Sequence, residues 1–249
     1  MNATRIGVLT PSSNTVVEPY TQALLAPLFP AVTAHFARLR VTTISLGEES
    51  RAQFRTEPML AAADLLVDAK VHALVWNGTS GAWLGRARDR GIVESLTGAT
   101  GLPATTAILG LDALLRAMRI GRLGLVTPYT AEVQERIVAE YRALGVEVVA
   151  ERHLATTDNF AFGEVSEARI AELCREVATA ADPPDAVAVV CTNMRGPLVA
   201  PDLERELGLP ILDSVAFTLW AVLASAGVDT TALARFGRLF EVDGAALAG

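Results

Sequence analysis

Cys191 stands where an apolar run gives way to a polar cluster, in Val189-Val190-Cys191-Thr192-Asn193-Met194-Arg195-Gly196. A thiol at such a junction is either core filler or a group that moves protons. Where a strand hands over to a helix, the helix dipole and free backbone N–H groups can lower a thiol's pKa and poise it for proton transfer. The chain's other cysteine, Cys174, lies in Ile170-Ala171-Glu172-Leu173-Cys174-Arg175-Glu176-Val177, on the apolar face of an expected helix, and reads as an inert core thiol. Short polar residues end three further strand-like runs: Ser12, Ser13 and Asn14; Gly78, Thr79 and Ser80; Thr127 and Tyr129. Each taken alone is best read as a helix N-cap. Together with Cys191, Thr192 and Asn193 they offer hydroxyls, an amide and backbone N–H groups, a donor set suited to a carboxylate or an enediolate.

Motifs of other chemistries are missing from the sequence. It contains no G-x-G-x-x-G, Walker A, H-E-x-x-H or C-x-x-C pattern, so nucleotide and zinc chemistry have no support and no metal ligand set is expected. Gly78-Thr79-Ser80-Gly81 departs from the G-x-S-x-G elbow, and no histidine is placed to serve it. His35, His72 and His153 lie in or beside strand-like segments and read as structural. Glu132, Glu135 and Glu140 read as the solvated side of a helix, and Glu18 as a first-turn acid that favours a helix dipole.

The 249-residue chain is 51% apolar and 20% charged, enough material for a large core. Its net charge of −7 argues against nucleic acid or an anionic membrane surface as partner. Two cysteines do not make a disulfide framework. Neither a secretion signal nor a run of about 18 apolar residues is present, so a cytoplasmic, unanchored protein is expected.

The elements that must position these residues alternate regularly. Strands are expected at 5–10, 32–39, 72–76, 122–126, 146–151 and 186–190, with helices at 16–28, 58–68, 87–97 and 106–118 among others. Alternating helices and uninterrupted apolar strands indicate parallel sheets covered on both faces. An internal repeat organises them. Arg5-Ile6-Gly7-Val8-Leu9-Thr10-Pro11 is matched by Arg122-Leu123-Gly124-Leu125-Val126-Thr127-Pro128. Ala73-Leu74-Val75-Trp76-Asn77-Gly78-Thr79 is matched by Ala186-Val187-Ala188-Val189-Val190-Cys191-Thr192, and Gly101-Leu102-Pro103 by Gly208-Leu209-Pro210. The fold class expected is therefore α/β, with two similar lobes related by a pseudo-twofold axis. Residues 1–110 plus 216–249 would form the first lobe and 111–215 the second, with the site in the cleft where the strands' carboxyl ends converge. The repeat pairs Cys191 with Gly78.

Pro11-Ser12-Ser13-Asn14-Thr15-Val16-Val17-Glu18-Pro19 resembles the opening loop of maleate cis-trans isomerases, in the Asp/Glu/hydantoin racemase superfamily. Other segments resemble the arylmalonate decarboxylases of the same superfamily. They are Gly78-Thr79-Ser80, Ala99-Thr100-Gly101-Leu102-Pro103-Ala104-Thr105-Thr106, Thr127-Pro128-Tyr129, the Val190-Cys191 strand end and Phe236-Gly237-Arg238-Leu239-Phe240. Together they span nearly the whole chain. The resemblance implies a two-lobed enzyme that needs no metal or organic cofactor and acts on a small dicarboxylate; the family also suggests a homo-oligomer.

In that superfamily two cysteines, one per lobe, usually face the substrate from opposite sides, and in maleate isomerases the first-lobe cysteine is the nucleophile. Glycine in lobe one with cysteine in lobe two is the decarboxylase pattern, and Gly78 with Cys191 matches it. By the resemblance, Gly78, Thr79, Ser80 and Tyr129 would hold the retained carboxylate of a disubstituted malonate and its enediolate, and Cys191 would protonate one face. Two departures lean to the isomerase. Asn14 fits an isomerase-type carboxylate contact, and Thr192-Asn193 stand where the decarboxylases have glycines. Arg38 and Arg40 resemble the isomerase strand and could hold a second carboxylate, against the plainer reading of two surface arginines. A maleate isomerase-like enzyme is thus the alternative, and a non-catalytic carboxylate-binding relative the third reading.

Overall fold

A computed structural model describes residues 3–248. Its eight strands fall into two sheets. The first holds β1 (Thr4–Pro11), β2 (Val32–Leu39), β3 (Ala73–Trp76) and β4 (Ala104–Thr106), in the order β2-β1-β3-β4. The second holds β5 (Arg122–Thr127), β6 (Glu147–His153), β7 (Ala186–Val189) and β8 (Ile211–Asp213), in the matching order β6-β5-β7-β8. Every pairing within the two sheets is parallel. The expected pair of similar α/β lobes is what the chain forms. The central strands carry unbroken buried runs, as strands covered on both faces must.

Helices cover the sheets for reasons visible in their sequences. Thr56–Asp68 buries Met59, Ala62, Ala63 and Leu66, a stripe at helical spacing, against β1 and β2. Glu167–Ala178 packs on β5, β6 and β7 through Ile170, Leu173, Cys174 and Val177, and Ser166 Oγ caps it by accepting the Arg169 N–H at 3.2 Å. Cys174 is thus core filler. Ser214–Ser225 differs, because each of its first ten residues is buried. It is enclosed by β3 and β4, by the helix Val17–Leu25 and by the helix Ala107–Ala117. Among the described residues no helix is long and apolar enough to cross a membrane.

β4 and β8 do not stand out in the sequence because each is three residues long, too short for a period to show. Both follow the repeated Gly-Leu-Pro. Gly101 and Gly208 take φ of +70° and +76° and end the preceding helices in the left-handed conformation that only glycine adopts freely. The proline then turns the chain into its edge strand. The repeat therefore marks one structural device used twice.

Candidate active site

The loops after β3 and β7 meet between the lobes. Cys191 follows β7 by one residue, and its backbone N–H donates to Ser214 Oγ at 3.2 Å, at the start of the buried helix. Met194 N–H returns to the Cys191 carbonyl and closes a tight turn. Thr192 Oγ1 reaches across the lobes to the Asn77 carbonyl at 3.2 Å and accepts from Asn14 Nδ2 at 3.4 Å. Asn193 Oδ1 accepts the Thr15 N–H at 2.9 Å, and its Nδ2 donates to the Asn159 carbonyl. Asn159 Nδ2 in turn donates to Ser13 Oγ at 2.7 Å. Buried polar groups without partners are costly, so these satisfied pairs fix how the two lobes meet.

The cavity they surround is small, about 20 Å³, room for roughly one water. Cys191, Thr192, Gly78, Thr79, Ser80 and Tyr129 line it, together with Pro11, Val41, Ile44, Phe54, Trp76, Trp83 and Asn159. None of these is charged. Asn14 and Asn193 do not line it. Asn14 Oδ1 accepts the N–H groups of Val16 and Val17 at 2.9 and 2.8 Å, as a cap for Val17–Leu25, while Asn193 spends its amide on the inter-lobe ties. Arg38 and Arg40 are exposed, and Arg38 is committed to Glu18 at 2.8 Å and to the carbonyls of Ser12 and Asn14. It braces the first loop from outside. His35, His72 and His153 bond to Thr33, the Arg5 N–H and Glu151 respectively, away from the cavity.

The thiol's environment reverses one expectation. Burial pushes Cys191 up to about 12, outweighing the neighbouring Tyr129 hydroxyl and Asn193 N–H, which act in the opposite direction. Taking a thiolate out of water costs more here than two donors return. Tyr129 is likewise raised well above its ordinary range by burial and by Cys191. Its hydroxyl also shares a 2.7 Å hydrogen bond with Thr79 Oγ1. The line Thr79, Tyr129, Cys191 therefore crosses the cleft in uncharged form near neutral pH.

Three features of the site leave no mark in the sequence. Asn159, from the second lobe, opens the short helix Asn159–Phe162, and nothing in the repeat marks it. Trp76, Trp83, Phe54 and Tyr129 form an aromatic wall, with Trp83 and Tyr129 ring centres 5.0 Å apart and Phe54 edge-on to both tryptophans. The segment 41–55, assigned no structure from sequence, covers the cavity with Val41, Ile44 and Phe54. It is tied to the second lobe by Ile44 N–H to the Thr157 carbonyl at 2.9 Å and Asn159 N–H to the Thr42 carbonyl at 3.0 Å. Gln53 and Ser50 bond back to Thr42, Thr43 and Ser45, so the segment is held by its own side chains.

Gly78 bears on the second thiol position directly. A Cβ built there would lie 2.3 Å from Trp76 Cζ2 and 2.4 Å from Cε2, well inside contact distance. The space that a first-lobe side chain would need holds the indole instead.

Two matched parallel lobes, with one thiol and a hydroxyl cluster meeting in their cleft, define a member of the Asp/Glu racemase-like superfamily. Within it, the chain belongs to the arylmalonate decarboxylase family, whose model matches residues 6–240. The arylmalonate decarboxylase of Bordetella bronchiseptica is 30% identical over 157 residues; that alignment covers 63% of this chain and 65% of that protein, just under two thirds of its length. The maleate isomerase of Nocardia farcinica (strain IFM 10152) is 29% identical over 255 residues and covers 100% of both chains. A solved structure of a cysteine-to-serine variant of Nocardia farcinica maleate cis-trans isomerase, with a covalently bound succinylcysteine intermediate, superposes with a TM-score of 0.85 at 25% identity. It covers 96% of this chain and 98% of that one. The relatives are enzymes of both kinds.

Proposed function

We propose that the protein is a cofactor-independent decarboxylase of a disubstituted, arylmalonate-like malonate. The observation that carries this reading is the single thiol in the cavity, Cys191, across from a first-lobe position where Gly78 leaves no side chain and Trp76 leaves no room for one. A lone acid can protonate one face of a carbanion. It cannot exchange protons from both faces as a two-base racemase does.

The retained carboxylate of the malonate accepts hydrogen bonds from the hydroxyls of Thr79, Ser80 and Tyr129. The leaving carboxylate faces the apolar wall of Val41, Ile44 and Trp83, which offers it no counter-charge, so departure as neutral carbon dioxide is favoured. As the bond between Cα and the leaving carboxylate breaks, its electron pair moves into the retained carboxylate and forms an enediolate. The hydroxyl donors stabilise the charge that develops there. Cys191 then transfers its proton to Cα, giving a chiral monoacid, and the thiolate recovers a proton from water. Substrate enters by displacement of the segment 41–55, since the closed cavity holds little more than one water.

A maleate isomerase-like activity is the second reading. The full-length match to the Nocardia isomerase favours it. It requires Cys191 to add to the double bond as nucleophile, against a pKa that keeps the thiol protonated. Proton NMR in deuterated buffer separates the two. Turnover of phenylmethylmalonate, with one deuterium at Cα of the product, supports decarboxylation, whereas fumarate from maleate with the malonate untouched supports isomerisation. Turnover of neither by a protein that still binds dicarboxylates favours a carboxylate-binding role.

A further inference from the structure

We infer that Trp76 is a specificity-determining residue: its indole takes the place of a first-lobe side chain and closes one face of the site to proton transfer. The inference rests on the decarboxylase reading for its chemistry and on the packing around Gly78 for its geometry. Trp76 ends β3, two residues before Gly78, and is fully buried. Its six-membered ring occupies the volume that a Cβ at position 78 would enter, and it lines the same cavity as Cys191.

The indole is wedged in place. Phe54 stands edge-on to it with ring centres 6.4 Å apart, and its Nε1–H is directed at Ser80 Oγ, 3.4 Å away. A ring of that size in a close-packed interior has no cheap alternative rotamer. Its only dissociable hydrogen is already engaged with Ser80, so the face it covers offers carbon and no acid. An enediolate lying between the lobes meets a proton donor on the Cys191 side and a dry aromatic surface on the other. The glycine and the tryptophan are therefore one unit: a thiol cannot be installed at 78 while the indole stays.

Four proteins test this: wild type, Gly78→Cys, Trp76→Val and the double variant, valine being an apolar strand former of smaller volume. The probe is 2-phenylpropionate in deuterated buffer, with α-hydrogen exchange followed by proton NMR. In a two-thiol site one thiolate removes the α-proton, the C–H electron pair passes into the carboxylate as an enediolate, and the opposite thiol returns a deuteron to Cα. We expect Gly78→Cys to melt several degrees below wild type and to exchange no faster. In the Trp76→Val background Gly78→Cys should cost at most half the melting temperature that it costs in wild type, and the double variant should exchange at least tenfold faster than Gly78→Cys. A Gly78→Cys protein that melts with wild type and exchanges as fast as the double variant overturns the inference. So does a folded double variant that binds 2-phenylpropionate but gains no exchange.

Should the double variant not fold, Gly78→Ala with and without Trp76→Val decides the matter by melting temperature. A drop at least twofold smaller in the Trp76→Val background supports the wedge, and an equal drop overturns it. Wild-type turnover of phenylmethylmalonate reports separately on the decarboxylase reading. If wild type leaves the malonate intact while the melting temperatures remain coupled, the reading falls and the wedge stands.

Discussion

The loops after β3 and after β7 occupy matched places in matched sheets, yet they carry different side chains to the cavity. The first offers Thr79 and Ser80 hydroxyls on a glycine that carries nothing; the second offers a thiol, with its remaining side chains spent on ties to the first lobe. Beneath each lies a buried carboxyl packed against a glycine: Asp89 under Gly81 and Asp213 under Gly196. The supports differ as well. In the first lobe Thr106 caps the helix after β4 and donates to Asp89 at 2.5 Å, whereas in the second Asp213 is itself the cap of the helix after β8. On the decarboxylase reading, the duplicated scaffold holds charge stabilisation in the first loop and proton delivery in the second. The division is carried by side chains on two sheets of the same strand order.

The sharpest way to break that division is to remove the proton donor. Cys191→Ala should lower decarboxylation of phenylmethylmalonate by about 10³-fold or more, the upper range for a positioned general acid. Its melting temperature should stay within a few degrees of wild type, because alanine fills a buried thiol's site with little loss. Activity within tenfold of wild type would move the proton donor elsewhere. In the same lobe, Tyr129→Phe keeps the ring against Trp83 and Phe162 and removes only the hydroxyl between Thr79 and Cys191. A fall of about 10²-fold in kcat, with KM little changed, is expected for loss of one oxyanion donor, and Thr79→Val should behave alike. Should the loss fall on KM alone, these hydroxyls bind substrate without favouring the transition state.

The alkaline limb of the rate profile sharpens the comparison further. A donor must be protonated to act, and burial holds Cys191 up to about 12. Activity should therefore stay within twofold between pH 7.5 and 9.5. An ordinary thiol, with a pKa near 8.5, would lose about tenfold over that interval. A tenfold decline would show the thiol to be as acidic as the strand-to-helix junction alone suggests.

That point marks where sequence stops being legible. The strand-helix alternation, the repeat and the pairing of Cys191 with Gly78 are local patterns, and local patterns survive in one dimension. So the lobes, their order and the meeting of Thr79, Ser80, Tyr129, Cys191 and Thr192 at one cavity follow from the chain. The sign of the Cys191 shift does not, because it is a balance between desolvation and two donors, and desolvation is set by everything packed around the sulfur. Trp76 reads in sequence as one more apolar strand residue; only the built backbone shows that its ring lies where a side chain at 78 would go. The segment 41–55 has neither helical nor strand period, and its role comes from contacts with Thr157 and Asn159, more than 100 residues away.

The smallest effect concerns the two buried carboxyls. Asp213 is held up to about 7 by burial, despite accepting the N–H groups of Val215 and Ala216, and its Oδ2 has no partner. Below about pH 4 the carboxyl is protonated in both folded and unfolded chains and contributes no pH dependence. Between about 4 and 7 the unfolded chain releases the proton while the folded one keeps it, so stability falls as pH rises, and above 7 the full penalty is carried. Asp213→Asn removes the charge and keeps the cap, since the amide oxygen still accepts both N–H groups. The variant should melt with wild type near pH 4 and a few degrees above it at pH 8, as scanning calorimetry at the two pH values would reveal. Asp89 is also held up to about 7, but it takes a hydrogen bond from Thr106 and lies near Arg86 and Arg88, both of which favour its charge. Because that value of about 7 already includes those interactions, Asp89→Asn should gain as much between pH 4 and pH 8 as Asp213→Asn does. Unequal gains would mean that the two carboxyls do not share one folded-state value and that the lobes, so different above, differ beneath as well.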